Sequence, residues 1–214
     1  MSIKITTEQI KELRDKTGIS VMQCKRALEE AEGDKNKALA ILKKNSSDIA
    51  QKKSNRDVKD GRLSIKMEGK KAVLVSLHCE TDFVAKNDDF VKLLENLTNE
   101  AFSSGLEKMK TSAKEMINTI IQKTGENIQL GEAYEVAGDV LGSYVHNNKI
   151  GAIVSLTGGN AELAKDIAMH VAAMQPESIP ELLDQPFIKD LGKTVGKLLE
   201  EAGAKIKEVK HYSI

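Results

Sequence analysis

Lys70-Lys71-Ala72-Val73-Leu74-Val75-Ser76-Leu77 and Lys149-Ile150-Gly151-Ala152-Ile153-Val154-Ser155-Leu156 are two copies of one stretch. A shift of 79 positions lays Lys70, Val75, Ser76 and Leu77 on Lys149, Val154, Ser155 and Leu156. A shift of 78 lays Ile120, Ile121, Gly125, Ile128 and Tyr134 on Leu198, Leu199, Gly203, Ile206 and Tyr212. Near-equal offsets in two separated blocks mark one duplication. Each copy reads as two strands joined by a turn (Gly69-Lys70 in the first, Asn147-Asn148 in the second), a helix, a second helix stopped by glycine, and a returning strand. Helices set beside antiparallel strands are the simplest packing of that order. The fold class expected is therefore α+β, with a core of two similar subdomains over residues 61–140 and 141–214.

Ahead of the duplication, residues 6–44 carry three helix signatures in succession. Thr6 with Gln9, and Ser20 with Gln23, fit the capping box, in which a hydroxyl and an amide three residues apart satisfy orphan backbone donors reciprocally. Gly18 and Gly33 stand where helices stop, and Asp34 caps the third. Apolar residues recur at spacings of three and four: Ile10 and Leu13, then Cys24, Ala27, Leu28 and Ala31, then Ala38, Leu39 and Leu42. Residues 1–45 thus form a three-helix N-terminal domain. A module of about 40 residues is marginal alone, which favours docking over catalysis. From Asn45 to Gly61 the chain turns polar and loses a sustained apolar stripe, so residues 46–60 are expected to be mostly linker, with a helical start over 48–53. Such a head is free to move relative to the core.

Composition narrows the function classes. The 214 residues include 32 basic and 32 acidic side chains, a formal net charge of zero that weighs against a dedicated nucleic-acid binder. Only Arg14, Arg26, Arg56 and Arg62 are arginine, so bidentate phosphate clamps are scarce. With no Trp there is little of the stacking surface that single-strand binders use, and the locally basic Lys52, Lys53 and Arg56 read as a solvated run. No apolar run approaches the roughly 18 residues a membrane span needs. Met1 to Glu8 is too short and mixed for a signal segment, so a cytoplasmic location is expected. Cys24 and Cys79 have no partner at ligand spacing and read as buried thiols.

Neither a metal nor a cofactor is expected. His78, His146, His170 and His211 are dispersed, without the pairing of a zinc helix. His170, inside the apolar pattern of Ile167, Ala168, Val171 and Ala172, reads as a satisfied helix histidine. Gly192-Lys193-Thr194 offers only the tail of a phosphate-binding loop, with Phe187 where the first glycine belongs. Lys123-Thr124-Gly125 matches one element of serine β-lactamases, but no Ser-x-x-Lys accompanies it, and the segment reads better as a helix stop.

The two copies differ at one place. From the last apolar strand residue to the first large apolar residue of the next helix, the first copy takes 13 steps (Leu77 to Phe90) and the second seven (Leu156 to Leu163). Strand-to-helix connections usually need about two to six residues, so the first copy holds an additional loop of about six. The excess lies in Cys79-Glu80-Thr81-Asp82-Phe83-Val84-Ala85-Lys86-Asn87. A loop presenting Phe83 beside Asp82 reads as a probe for another protein's pocket. The competing reading is that Phe83 tucks under its own helix as a staple.

These segments carry a family resemblance. Leu13-Arg14-Asp15-Lys16-Thr17-Gly18, followed by Met22-Gln23-Cys24-Lys25-Arg26-Ala27-Leu28, resembles the opening signature of the translation elongation factor Ts family, and the run from Cys79 to Asn87 is similar to its second signature. Further matches are Gly138-Asp139-Val140-Leu141-Gly142-Ser143-Tyr144, Asp166-Ile167-Ala168-Met169-His170-Val171-Ala172-Ala173, and Gln185-Pro186-Phe187 leading to Thr194-Val195-Gly196. The resemblance spans nearly the whole chain, in order. It implies a three-helix N-terminal domain joined to two similar subdomains, and a guanine-nucleotide exchange factor that binds elongation factor Tu, a GTPase, and speeds release of its GDP. No bond is made or broken in such a factor, so it is not an enzyme in the chemical sense. The alternative is a protein-binding module that holds a GTPase without exchange.

By the same resemblance Thr81, Asp82, Phe83 and Val84 would disturb the partner's magnesium site, Phe83 wedging into an apolar slot and Asp82 acting on the groups that hold the metal. Arg14, Val21 and Met22 of the head would dock on the partner; Val21 stands where many members have Met. Gly125 and His146 would add contacts from the core, or His146 is an exposed turn residue. Between Pro176 and Gln185 only a short connector stands where long members insert a helical hairpin, so the chain looks like a short form. The resemblance implies that a short member can work as a homodimer within a two-to-two complex, with one GTPase spanning parts of two factors. A candidate pairing edge is the returning strand over 206–214.

Overall fold

The computed structural model describes residues 5–214, so the reading of residues 1–4 lies outside the described residues. The head consists of α1 (Thr7–Thr17), α2 (Val21–Glu30) and α3 (Lys35–Lys53). At α1 the capping box of Thr6 and Gln9 is complete, and Gly18 ends the helix in the left-handed region. The Asp34 carboxylate accepts from the Asn36 and Lys37 N–H groups at 2.8 and 3.0 Å, as a third cap. The second box is only half made. Ser20 accepts from the Gln23 N–H at 3.4 Å, but the Gln23 side-chain oxygen accepts from Gln122 Nε2 at 3.1 Å instead of returning to its own helix. A tertiary donor has displaced the local one.

The head's core is the expected one: Leu13, Cys24, Ala27, Leu28, Ala31, Ala38 and Leu42 are buried together, with Ile19 added from the turn between α1 and α2. Where the chain looked like linker, the structure differs. Helix α3 runs unbroken to Lys53, and only residues 54–59 separate it from the first strand. The apolar stripe does continue, but it is narrow: Ile49 and Ala50 pack on the core, and between them and Leu42 the inward position is a serine. Ser46 is buried because its hydroxyl donates to the Lys43 carbonyl at 2.7 Å. Asn118 Nδ2 donates to Ser47 Oγ at 3.3 Å, and Lys43 pairs with Glu115 at 2.6 Å. The head is therefore seated on the core through the second half of α3.

The first copy runs β1 (Asp60–Glu68), β2 (Lys71–Cys79), α4 (Asp82–Ala85), α5 (Asp88–Ser104), α6 (Leu106–Thr124) and β3 (Ile128–Ala137). The second runs β4 (Val140–His146), β5 (Ile150–Thr157), α7 (Ala161–Met174), α8 (Ile179–Asp184), β6 (Pro186–Phe187), β7 (Asp190–Thr194), α9 (Val195–Glu201) and β8 (Lys205–Ser213). The fold is α+β, as expected. Two antiparallel sheets, β1-β2-β3 and β4-β5-β8, each have the hairpin's second strand in the middle. Asn147 and Asn148 both take positive φ in the β4–β5 turn, a conformation that asparagine tolerates well.

Strand alternation explains the unbroken apolar runs. Val73, Val75 and Leu77 face Phe90, Leu94, Leu97 and Met109 of α5 and α6, whereas Ala72 and Leu74 face Val136, Leu141 and Ile153 between the sheets. On β5, Ala152, Val154 and Leu156 face Ile167, Ala168 and Val171 of α7. The layers are thus helices, sheet, sheet, helices. A central strand covered on both faces must be apolar at nearly every position. The duplication extends to a detail: the ladder shifts register between Val75 and Leu77 in one copy and between Ser155 and Leu156 in the other, at the paired serines.

The second copy also holds α8 and a β6–β7 hairpin that the duplicated order did not anticipate. His170, buried on α7, fastens that insertion. Its Nδ1 accepts from the Ile188 N–H at 3.3 Å, which leaves the Nε2–H of a neutral ring to donate to Gln185 Oε1 at 2.9 Å. It is a satisfied helix histidine, as its setting indicated. Burial holds its pKa below the ordinary 6.5, against the upward pull of Gln185. Burial also lowers His211, and burial with the Lys149 charge lowers His78.

The sign of the pH effect follows. Above about pH 6.5 these rings are neutral in both states and nothing is lost. As pH falls below that value the unfolded chain takes up protons first, and stability declines until the folded-state values are passed. The urea midpoint is expected to be lower at about pH 5 than at about pH 7.5, and equal midpoints would refute this account.

Candidate partner-docking site

The extra loop of the first copy is a single helical turn, α4, standing on the C-terminal end of β2. Thr81 caps it, accepting from the Val84 N–H at a long 3.4 Å. Phe83 is 83% exposed, which rejects the staple reading. Val84 differs from its neighbours: its side chain is buried in the first core cluster and anchors the turn rather than facing outward. Asp82 pairs with Lys86 across the turn at 2.7 Å, and that hydrogen bond holds the lysine above its usual range.

The turn that follows α6 meets this loop. Gly125 ends α6 in the left-handed region at φ 77°, is exposed, and offers its carbonyl to Lys53 Nζ. Next to it, Glu126 Oε2 accepts from the Glu80 and Thr81 N–H groups at 3.1 and 3.0 Å, and its Oε1 accepts from Thr81 Oγ1 at 2.6 Å. In return Glu80 Oε1 accepts from the Asn127 N–H at 2.6 Å. Burial, with the nearby Glu126 and Asp60 charges, pushes the Cys79 thiol up to about 12, so it stays protonated and donates to the Thr81 carbonyl at 3.1 Å.

The β4–β5 turn lies on the other side of the loop. Asp82 and Lys86 share a cleft of 270 Å³ with Asp60, Asn147 and Lys149. Lys149 is hydrogen-bonded to Asp60. Burial raises the Asp60 carboxyl, but that bond, the Gly61 N–H and the charges of Lys149 and Lys86 outweigh it and hold the pKa below the ordinary carboxylate value. His146 is exposed at the edge of this turn, its Nε2 3.1 Å from Asn147 Nδ2 and its Nδ1 3.3 Å from the Tyr144 hydroxyl.

The head reaches the same end of the molecule. Besides the bond between Gln23 and Gln122, Lys123 lies against Gly18 and donates to Asp89 Oδ2 at 3.1 Å. Val21 and Met22, two and one residues before Gln23, are 50% and 58% exposed, apolar side chains facing solvent on the first turn of α2. Arg14 is exposed on α1. The fold therefore brings the α1–α2 turn, α4, Gly125 and the β4–β5 turn to one end.

The comparisons with known proteins bear on what that end belongs to. A family model described as Elongation factor TS matches residues 80–181. Elongation factor Ts of Hahella chejuensis is 34% identical over 262 aligned positions that cover 98% of this chain and 92% of the relative. The chain belongs to the elongation factor Ts family. The elongation factor Ts of Pseudomonas putida is 42% identical over 176 positions, covering 81% of this chain and 61% of the relative. Since 262 positions are aligned and this chain has 214 residues, the Hahella chejuensis factor holds at least 48 residues without a counterpart here. Compared with that elongation factor Ts, this is a short member.

Glu126 and Glu80 were not singled out from the sequence. The helix stop at Gly125 was visible, but nothing local could show that the next residue turns back to a loop 45 positions away. Among the described residues no group of three or more His, Cys, Asp or Glu could hold a metal ion, and no helix is long and apolar enough to cross a membrane.

Proposed function

We propose that this chain is a guanine-nucleotide exchange factor of translation elongation, acting on elongation factor Tu in its GDP-bound form. The observation that carries the reading is Phe83, a large apolar side chain held almost fully in water at the tip of a braced turn. Folding does not gain from that exposure, whereas insertion into a partner's apolar slot does. The partner's Mg²⁺ bridges nucleotide phosphates and demands near-octahedral oxygen geometry, so a ring pushed in beside it weakens metal and nucleotide together. Asp82, which exchanges Lys86 for groups of the partner, acts next to the ring.

Arg14, Val21 and Met22 dock the head, and Gly125 and His146 dock the core. Exchange is then a coupling free energy: factor and GDP each lower the other's affinity for the GTPase by the same ratio. No bond is formed or broken, and the direction of net exchange follows nucleotide concentrations. We include in this reading a homodimer within a two-to-two complex; β8 pairs with β5 along one side and presents its other edge. The test is release of a fluorescent GDP from preloaded elongation factor Tu in excess unlabelled GDP, with and without this chain. Many-fold acceleration is expected. A stable complex with unchanged release would replace exchange by simple holding of the GTPase.

A further inference from the structure

Helix α4 is only one turn long, and isolated turns are not stable in water. Its own cap is weak, because Thr81 Oγ1 donates its proton at 2.6 Å to Glu126 while accepting from the Val84 N–H at 3.4 Å. Three donors of the Glu80–Thr81 segment converge on the Glu126 carboxylate, and Glu80 returns the contact to the Asn127 N–H. A hydrogen bond to an ionised group is about twice as strong as a neutral one. Two turns far apart in sequence are thus locked by three bonds to the Glu126 carboxylate and one to that of Glu80, and the exposed Phe83 stands directly beyond the lock.

We propose that Glu126 is a positioning residue that fixes the Thr81–Asp82 turn, so that Phe83 is presented in one pose before the partner arrives. The inference rests on the exchange reading of Phe83. Without the carboxylate the backbone of the turn must be ordered during the encounter, and an apolar side chain on a loose turn collapses onto nearby apolar surface. Pre-organisation of this kind acts on the step in which the ring displaces metal and nucleotide.

The test is a double-mutant cycle in the GDP-release assay at saturating factor, with wild type, Glu126→Ala, Phe83→Ala and the double variant, beside hydrogen exchange of the Glu80 and Thr81 amides in the free factor. Glu126→Ala is expected to lower the plateau rate about tenfold and to speed exchange of those two amides. Glu126→Gln, whose amide oxygen still accepts from both N–H groups, recovers most of the loss. In the Phe83→Ala background, removing Glu126 changes the rate little, because it acts through the ring. An equal loss in both backgrounds would overturn the proposal, since Glu126 would then act on the partner independently of the loop. Unchanged amide exchange would overturn it as well. If Glu126→Ala does not fold, Glu126→Met, which keeps the length of the side chain but offers no oxygen to the two N–H groups, passes through the same cycle with the same two criteria. If wild type itself fails to speed release, the exchange reading falls, and the amide exchange still decides whether Glu126 holds the turn.

Discussion

Phe83→Ala is expected to remove most of the proposed nucleotide-release activity while leaving the protein folded. The side chain is 83% exposed, so its loss opens no cavity, and exposed substitutions of this kind usually change stability by less than about 0.5 kcal/mol. The turn beneath it is held by contacts that do not involve the ring: Thr81 and Glu80 to Glu126, and Val84 in the core. An aromatic anchor that fills a partner's pocket is worth about 2 kcal/mol or more, or roughly 30-fold in rate if it is felt only in the exchange step. Release of fluorescent GDP and the urea midpoint, measured on one preparation, separate the two effects. A variant as active as wild type would remove the wedge from the mechanism and shift attention to Asp82 and to Val21 and Met22 of the head.

Gly142→Ala is expected to give the largest loss of stability. Gly142 lies in β4 where α7 crosses it, and a Cβ there would overlap the Ala164 carbonyl and the Lys165 N–H. Those are backbone atoms of a regular helix and cannot rotate aside. Strand and helix would have to separate, loosening the cluster of Ala152, Val154, Ile167 and Ala168. Overpacking of this kind costs about 3 kcal/mol, which for a chain of this size lowers Tm by about 10 °C. Gly151→Ala is the control. Its Cβ would meet the side-chain ends of Leu63, Leu74 and Ile65, which can shift, so its Tm should fall less. The reverse order in calorimetry would mean that β4 and α7 are not locked together.

The fold class was legible because its signals are local or periodic. Thr6 with Gln9, Asp34 and the glycine at 18 cap helices through atoms within four residues of themselves, and the structure keeps those contacts. The repeat of Val75-Ser76-Leu77 at 154–156 marked two equivalent central strands, because a strand covered on both faces leaves an apolar run that survives duplication. The extra loop of the first copy stood out for the same reason, as a difference between two lengths that should agree. Phe83 was visible as an aromatic in that loop; whether it faced water or its own helix was not.

What the tertiary structure decided involves partners far apart in the chain. The second half of α3 is helical although its sequence is polar, because Ile49, Ala50 and the self-satisfied Ser46 find α6 and the core to rest on. Gln23 leaves its local cap for Gln122, and Glu126 turns to a loop 45 residues earlier. Gly142 is constrained by a helix that begins only after β5 is complete. Capping and alternation are set by the chemistry of neighbouring residues, so the sequence alone determined the caps of α1 and α3, the strands of the two main sheets and the duplicated plan. The brace behind Phe83, the gathering of the candidate docking residues at one end and the seat of the head depend on which surfaces meet, and burial and directional hydrogen bonds settle that only once the chain has packed.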